Sequence, residues 1–437
     1  MIQLDIENVG IVKKANIEVD GITVIAGMNG TGKSTVSKSL FAALNARKDL
    51  RDKILEDKRV EISQILRKWM QSNACSYSER ELFFSSKVSW KLSSTLVSHF
   101  LKEKESDDNT KIDEIRQIIS QRCEDIGIMI YDFDNICEKI YEIFKRNIDG
   151  YVEYFVKQYF QDVFKKQINF LGNQDMATIH FTQEENKESS GYFLSMRENC
   201  LAEYSGTYKE QGFKAVYIDT KSVLDIFDIY QLNVSLVNGY RKLEDLDLSK
   251  YSTQNVELLR EIKDEKRLTF SEAQQAKSSV AIIKRIVENV THGKLVENSH
   301  REMEFYDQNI NGKIEFSNLS SGLKIFVLLQ KLLENYSLRS GDVLLIDEPE
   351  VNLHPEWQVL LADIFVQMYK ELNIRMVINS HSPYFIRAIE VKMAEHECAL
   401  KGRYYYMRNE GNRCVCDDVT NETNIIYETL YKPLSSL

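Results

Sequence analysis

Three short apolar stretches open the chain. Ile2, Leu4 and Ile6 alternate with polar residues, Ala15 to Val19 alternate again after an Asn8-Val9-Gly10 turn, and Ile22 to Ile25 reads as a continuous apolar run. Alternation predicts strands buried on one face, and the continuous run predicts a strand buried on both. A helix follows from Lys33 to Leu44. From about Asn45 to Asn173 charged residues are dense and apolar ones fall at helical spacing. Ile54, Leu55, Ile62, Ile65, Leu66 and Trp69 mark one segment; Ile112, Ile115, Ile118 and Ile119 mark another. A third runs from Ile136 through Ile140, Phe144, Val152 and Val156 to Phe164. The stripes do not sustain a seven-residue repeat with charged flanks, so a packed helical insertion is expected rather than a long coiled coil. Lys102 to Lys111 reads as a solvated loop, and the aromatic face from Tyr151 to Phe160 as core or a partner surface.

Beyond this region the pattern returns to strands. Met176 to Phe181 and Gly191 to Met196 flank a polar turn, and Lys214 to Asp219 is an apolar strand expected to rejoin the sheet, with Thr220-Lys221-Ser222 capping a helix from Val223 to Ile229. Residues 253–292 read as helical, and Glu302 to Tyr306 and Lys313 to Phe316 as strands around an Asn311-Gly312 turn. A helix opens at Ser320-Ser321-Gly322 and runs to about Tyr336. Next come an apolar strand ending in Asp347-Glu348-Pro349, a helix from Pro355 to Glu371, and a strand from Ile374 to Asn379 that ends in Ser380-His381-Ser382-Pro383. The tail reads as a short helix, a tyrosine-rich hairpin (Arg403 to Arg408, Arg413 to Asp418) and a last helix with Tyr427 and Leu430.

Length and composition narrow the class. A chain of 437 residues is too long for one ordinary core and suggests two or three units. With 43% hydrophobic and 28% charged residues it is expected to fold in water. A net charge of −10 argues against a generally basic surface that coats nucleic acid. No run of about 18 apolar residues occurs, so no membrane span is expected. The strand at Met1 leaves no room for a signal peptide, and the seven scattered cysteines read as reduced thiols, both pointing to a cytoplasmic setting.

The chemistry concentrates between Ala26 and Thr35. Gly27, Gly32, Lys33 and Ser34 fit G-x-x-x-x-G-K-[ST], between a strand and a helix, with Asn29, Gly30, Thr31 and Thr35 completing the loop. Backbone N–H groups and the helix N-terminus there suit the phosphates of ATP, Lys33 adds a charge, and Ser34 adds a hydroxyl for Mg²⁺. Ser320, Ser321 and Gly322 form a second helix start with free N–H groups, which alone is an ordinary cap. Asp347 and Glu348 end a strand where ligands of open α/β sheets bind. Beside a phosphate loop, Asp347 is expected to hold Mg²⁺ and Glu348 to activate water; without one the pair is equally a capped strand end. His381, behind the neighbouring strand, is placed to meet a γ-phosphate. His396, Cys398, Cys414 and Cys416 are four potential zinc ligands without paired CxxC spacing.

The series GMNGTGKS, NLSSGLK, VLLIDEPEVNLHP and INSHSP resembles the ATPase head of the ABC superfamily, in the cytosolic branch of SMC-like, RecF-like and OLD-like ATPases of the AAA_15 and AAA_21 kind. The resemblance implies an α/β fold, a mixed sheet flanked by helices, with a large mainly helical insertion. It implies a Walker A loop at Gly27 to Ser34, a signature at Ser320 to Gly322, a Walker B pair at Asp347 and Glu348, and a switch histidine at His381. His354 falls where transporter-type relatives carry an aspartate. No Q-loop glutamine is identified, since Gln64 and Gln117 sit in helical segments. The expected division is residues 1–45 and 214–390 for the head, 46–213 for the insertion with a small β part, and 391–437 for a hairpin and helix.

The family also implies a homodimer in which two heads sandwich ATP, Ser320 and Gly322 completing the partner's site. OLD-like relatives often continue into a nuclease; the tail after His381 does not fit one, so a separate effector or nuclease partner is expected, in the manner of stand-alone ATPases of anti-phage defence. The alternatives are a DNA-clamping repair ATPase and, less well matched, a transporter's ATP-binding subunit.

Overall fold

The computed structural model describes residues 1–73, 86–100, 108–125, 134–170, 175–185, 188–206, 212–220, 251–263, 281, 287–288, 291–297, 303–315 and 318–432. In chain order its elements begin with β1 (Ile2–Val9), β2 (Val12–Val19), β3 (Ile22–Gly27) and α1 (Lys33–Asn45). Five helices follow: α2 (Leu50–Asn73), α3 (Ser86–Phe100), α4 (Asp108–Asp125), α5 (Asp134–Lys145) and α6 (Ile148–Val163). Then come β4 (Ala177–Glu185), β5 (Glu188–Arg197), β6 (Cys200–Ser205), β7 (Ala215–Asp219), α7 (Thr253–Lys263), β8 (Gly293–Glu297), β9 (Met303–Asp307) and β10 (Gly312–Glu315). The chain continues through α8 (Ser321–Glu334), β11 (Val343–Asp347), α9 (Pro355–Leu372), β12 (Arg375–Ser380), α10 (Pro383–Glu395), β13 (Gly402–Glu410), β14 (Arg413–Asp418) and α11 (Asn424–Tyr431).

Eleven strands form one mixed sheet in the order β6-β5-β4-β1-β2-β14-β13-β3-β12-β11-β7. One end of it is parallel: β13, β3, β12, β11 and β7 run together, and β3 and β11 are buried at every position, as runs covered on both faces require. On one face Val24, Ile346, Ile378 and Tyr404 pack with Phe326 of α8, Phe365 of α9 and Phe385 of α10. On the other, α1 buries Phe41, whose ring meets Tyr217 of β7 edge-on at 5.7 Å. The parallel edge is closed by a side chain. Asn45, the last residue of α1, donates to the Ala215 carbonyl and accepts from the Ala215 N–H, both at 2.8 Å, so one amide stands in for a further strand. Strands β8, β9 and β10 form a separate antiparallel sheet.

Two compact units divide the chain differently from the expected boundaries: residues 1–48 with 157–437, and residues 49–156. The hairpin grouped with the insertion belongs to the head, because β4 pairs antiparallel with β1, Ile6 opposite Ile179, and extends the sheet. The tail is likewise part of the head. β13 lies beside β3 with Tyr406 opposite Ala26, and Tyr404 and Tyr406 are buried in the main core.

Helices α2 to α5 form the second unit around Ile62, Leu66, Leu92, Ile115, Ile119, Ile136 and Ile140. Phe100 stacks on Phe144 at 4.5 Å. Burial pushes the Cys123 and Cys137 thiols up to about 11, which keeps them protonated and unreactive. The long apolar stripe after Ile136 is two helices rather than one. The Asn147 side chain accepts from the Asp149 N–H at 3.1 Å, an Asx turn that opens α6. Asp108 to Lys111, expected in a loop, begins α4. The expected helix from Val223 to Ile229 lies outside the described residues.

Asn45→Ala leaves both backbone groups of Ala215 unpaired in a buried position. The expected loss is about 2–3 kcal/mol. A thermal melt would show the midpoint lowered by roughly 3–4 °C; an unchanged midpoint would mean that the edge is closed by something else.

Candidate active site

The loop between β3 and α1 is shaped by its glycines. Gly30 and Gly32 have φ of 78° and 88°, left-handed values that other residues adopt at a cost. A Cβ at Gly32 would also stand 2.8 Å from Val12 Cγ2, so strand β2 itself requires glycine there. Thr31 is buried and its hydroxyl donates to the Met28 carbonyl at 2.8 Å, tightening the loop. Asn29 and Gly30 form the exposed tip. Lys33 lies almost wholly within the loop, its Nζ donating to the Gly27 and Met28 carbonyls at 2.8 and 2.9 Å. Thr35 sits in the first turn of α1, its carbonyl accepting from Ser39 at 2.8 Å.

Three elements converge on Asp347 at the end of β11. Its carboxylate accepts from the Tyr217 hydroxyl at 2.5 Å and from the Asn379 amide, and the Ser34 hydroxyl lies close enough to favour its ionised form. Asn379 in turn accepts from Ser37 of α1 at 3.0 Å. Burial raises the Asp347 carboxyl above the ordinary range; these hydrogen bonds oppose the shift and the charge of Asp219, its neighbour in register on β7, adds to it. An all-oxygen set of Ser34 and Asp347 suits a hard cation that takes its other ligands from phosphate and water, as Mg²⁺ does.

Past Asp347 the backbone turns sharply. Glu348 has φ of 48°, an uncommon value for a side chain of that size. It is held there because its N–H donates to the Asn379 carbonyl at 2.9 Å and its own carbonyl accepts from Thr220 at 3.0 Å. The turn brings Glu348 Oε1 to 3.5 Å from His381 Nδ1. Glu350, from the same turn, is buried behind the imidazole; its Oε1 accepts from the Ser380 hydroxyl at 2.6 Å and lies 3.8 Å from His381 Nδ1. Burial raises its carboxyl as well, against the pull of the Ser380 hydrogen bond.

Ser320 is the N-cap of α8, accepting from the Leu323 N–H at 3.4 Å, and Ser321 is exposed at the first helical position. Gly322 is pressed against the turn after the carboxylates: a Cβ there would meet the Asn352 carbonyl oxygen at 2.8 Å and Leu353 Cδ2 at 2.9 Å. Gly322 therefore packs beside Asn352 and Leu353, a few residues past the carboxylates. His354 is exposed and caps α9, its Nδ1 accepting from the Glu356 N–H at 3.4 Å. A cavity of about 600 Å³ opens along the other flank of the loop, between Met28, Thr31, Tyr406, Arg408 and Asp417, and neither Lys33 nor the carboxylates line it.

The zinc alternative loses its geometry. His396 is bonded to Asp363 at 2.8 Å, Cys414 to Asn409 at 3.3 Å, and among the described residues no three His, Cys, Asp or Glu side chains group to hold a metal. Tyr217, Asn379 and Glu350 were not singled out from the sequence. Asn379 and Glu350 lie inside the strings quoted for the resemblance, and the apolar strand ending in Asp219 was the available signal for Tyr217.

Comparison with known proteins adds three findings. The family model of the AAA ATPase domain, AAA_15, matches residues 1–386. The Retron Vc95 probable ATPase of Vibrio cholerae serotype O1 biovar El Tor is 24% identical over 218 residues, 44% of this chain and 41% of that protein. The chain thus spans about two fifths of the length of that relative. Among solved structures, the SMC head domain from Thermotoga maritima aligns over 95% of this chain and 98% of its own, with a TM-score of 0.41 and 10% identity. The SmcHead bound to the C-winged helix domain of ScpA aligns over 97% and 98%, with a TM-score of 0.44 and 9% identity.

Because burial raises the Asp347 carboxyl, its ionised form opposes folding. Its stabilising contribution is full below the unfolded-state value and is lost as pH rises through the folded one. Asp347→Asn is expected to melt above wild type at pH 8 without nucleotide or metal, the difference closing below about pH 4. Scanning fluorimetry in EDTA checks this; an equal or lower midpoint at pH 8 would contradict it.

Proposed function

The chain belongs to the AAA ATPase domain family, and from that premise we propose that it binds and hydrolyses ATP and that ATP-dependent pairing of two heads regulates a partner effector, in bacterial anti-phage defence. The observation that carries this reading is the meeting of Ser34, at the start of the helix behind the phosphate loop, with the buried carboxylate of Asp347.

The backbone N–H groups of Gly27 to Thr35 receive the β- and γ-phosphates. Lys33 exchanges its two carbonyl partners for phosphate oxygens, replacing neutral acceptors by charged ones. Ser34 and Asp347 hold Mg²⁺, which when bound neutralises charge on the phosphates. Glu348, fixed by its strained backbone, takes the proton of the attacking water, and His381 faces the γ-phosphate. Ser320, Ser321 and Gly322 serve the site of a second copy. The contact of Gly322 with Asn352 and Leu353 would link that second site to the segment following Glu348.

The likeness to a retron's probable ATPase supports the defence setting. A net charge of −10 counts against a DNA clamp as the first reading. No helix among the described residues is long and apolar enough to cross a membrane.

Glu348→Gln removes the base and spares the phosphate contacts. Turnover should fall by about 10²-fold or more, and light scattering after gel filtration should show a dimer with Mg-ATP and a monomer without it. Turnover at the wild-type rate would refute the role given to Glu348. Lys33→Ala is expected instead to weaken ATP binding itself, read by displacement of a fluorescent ATP analogue; unchanged affinity would remove Lys33 from the site.

A further inference from the structure

Two sealed polar atoms near the active site lack hydrogen-bond partners, and they belong to adjacent side chains. One is Oε2 of Glu350; the other is Nδ1 of His381. They are chemically complementary, a carboxylate acceptor and a ring nitrogen able to carry a proton. Glu350 is 5% exposed, while the His381 side chain is 39% exposed, so Nδ1 is the inward atom of a ring that otherwise faces outward. Nδ1 has Glu348 Oε1 at 3.5 Å and Glu350 Oε1 at 3.8 Å, in ion-pair range of both and without hydrogen-bond geometry to either.

We propose that Glu350 is a positioning residue that holds His381 with Nδ1–H turned inward to its carboxylate, so that the opposite edge of the ring is presented to the γ-phosphate. This rests on the ATPase reading above and deepens it.

Electrostatics chooses the nitrogen. A bare Nδ1 lone pair facing two carboxylates would be repelled by both, whereas an N–H is attracted by both. Glu350 has the fixity that such an anchor needs. Its Oε1 is bound by the Ser380 hydroxyl at 2.6 Å and by the His381 N–H at 3.3 Å, so the carboxylate is tied to the strand end that carries the imidazole. A small rotation of ring or carboxylate pairs the two open atoms, removing the cost of leaving both unpaired in a buried place. Glu350 and Glu348 leave the same turn, so the contact also links the end of β11 to the end of β12.

The test compares Glu350→Gln with wild type in ATP turnover. Gln keeps an acceptor for Ser380 and the His381 N–H but loses the charge. Expected are a kcat lowered about tenfold or more, a KM for ATP within about twofold, and a thermal midpoint that is not lowered, since the neutral amide relieves a buried carboxylate. Placed in a His381→Ala background, the substitution should cost nothing further, as a contact acting only through His381 requires. Ser380→Ala, which loosens the anchor and keeps the charge, should lower kcat in the same pattern by about threefold, and it decides the matter should Glu350→Gln not fold. An unchanged kcat, a parallel change in KM and midpoint, or losses that add to those of His381→Ala would each overturn the role. Glu348→Gln run alongside separates the two levels. If it blocks turnover and Glu350→Gln does not, only the positioning role falls; if neither lowers turnover, the role of Glu348 falls with it; and if wild type itself turns over no ATP, the ATPase reading falls.

Discussion

Asp347 holds its carboxylate out of water at the ends of three parallel strands, bonded from one side by Tyr217 and from the other by Asn379, with Ser34 reaching it from the helix behind the phosphate loop. A buried carboxylate is costly unless its oxygens are satisfied, and each of its partners comes from a different stretch of chain. The arrangement exists only when β7, β11, β12 and α1 are in register. Much of the surrounding packing serves that register: Asn45 closes the open side of β7, and Ser37 fixes the Asn379 amide that in turn serves Asp347.

The strain one residue later follows from the same anchoring. Glu348 adopts a backbone conformation that costs energy, and it is paired to β12 through Asn379 and to the segment after β7 through Thr220. The turn brings both Glu348 and Glu350 within 4 Å of His381 Nδ1, one partly exposed and one sealed. Two acids of one short segment thereby meet different surroundings, and environment rather than residue type separates the tasks proposed for them. Two glycines are constrained as well, Gly32 of the phosphate loop by the side chain of Val12 and Gly322 at the start of α8 by the backbone of Asn352.

Local pattern carried the parts whose causes are local. The continuous apolar runs at Ile22 to Ile25 and before Asp347 predict strands buried on both faces, and both are buried at every position. The strand from Lys214 to Asp219 rejoins the sheet as expected, next to β11. Pairing between distant strands left no mark in either one, so the hairpin after Met176 was assigned to the insertion although β4 hydrogen-bonds to β1. The same holds for the tail, whose tyrosines are buried by β3 and α10 rather than by one another. The stripe from Ile136 to Phe164 hid the break at Asn147 because its apolar positions continue across it. The sequence does not mark Glu350, because an acid in a turn ordinarily faces water; the Ser380 hydroxyl and the His381 N–H, both from another strand end, make its burial tolerable.

The central claim is that Ser34, Asp347 and the phosphate loop form one Mg-nucleotide site. Calorimetric titration of the wild-type protein with ATP, once with Mg²⁺ and once in EDTA, tests it most directly. The account predicts saturable binding of one ATP per chain that weakens about tenfold or more when the metal is removed. No saturable binding at millimolar ATP, or binding indifferent to Mg²⁺, would contradict it.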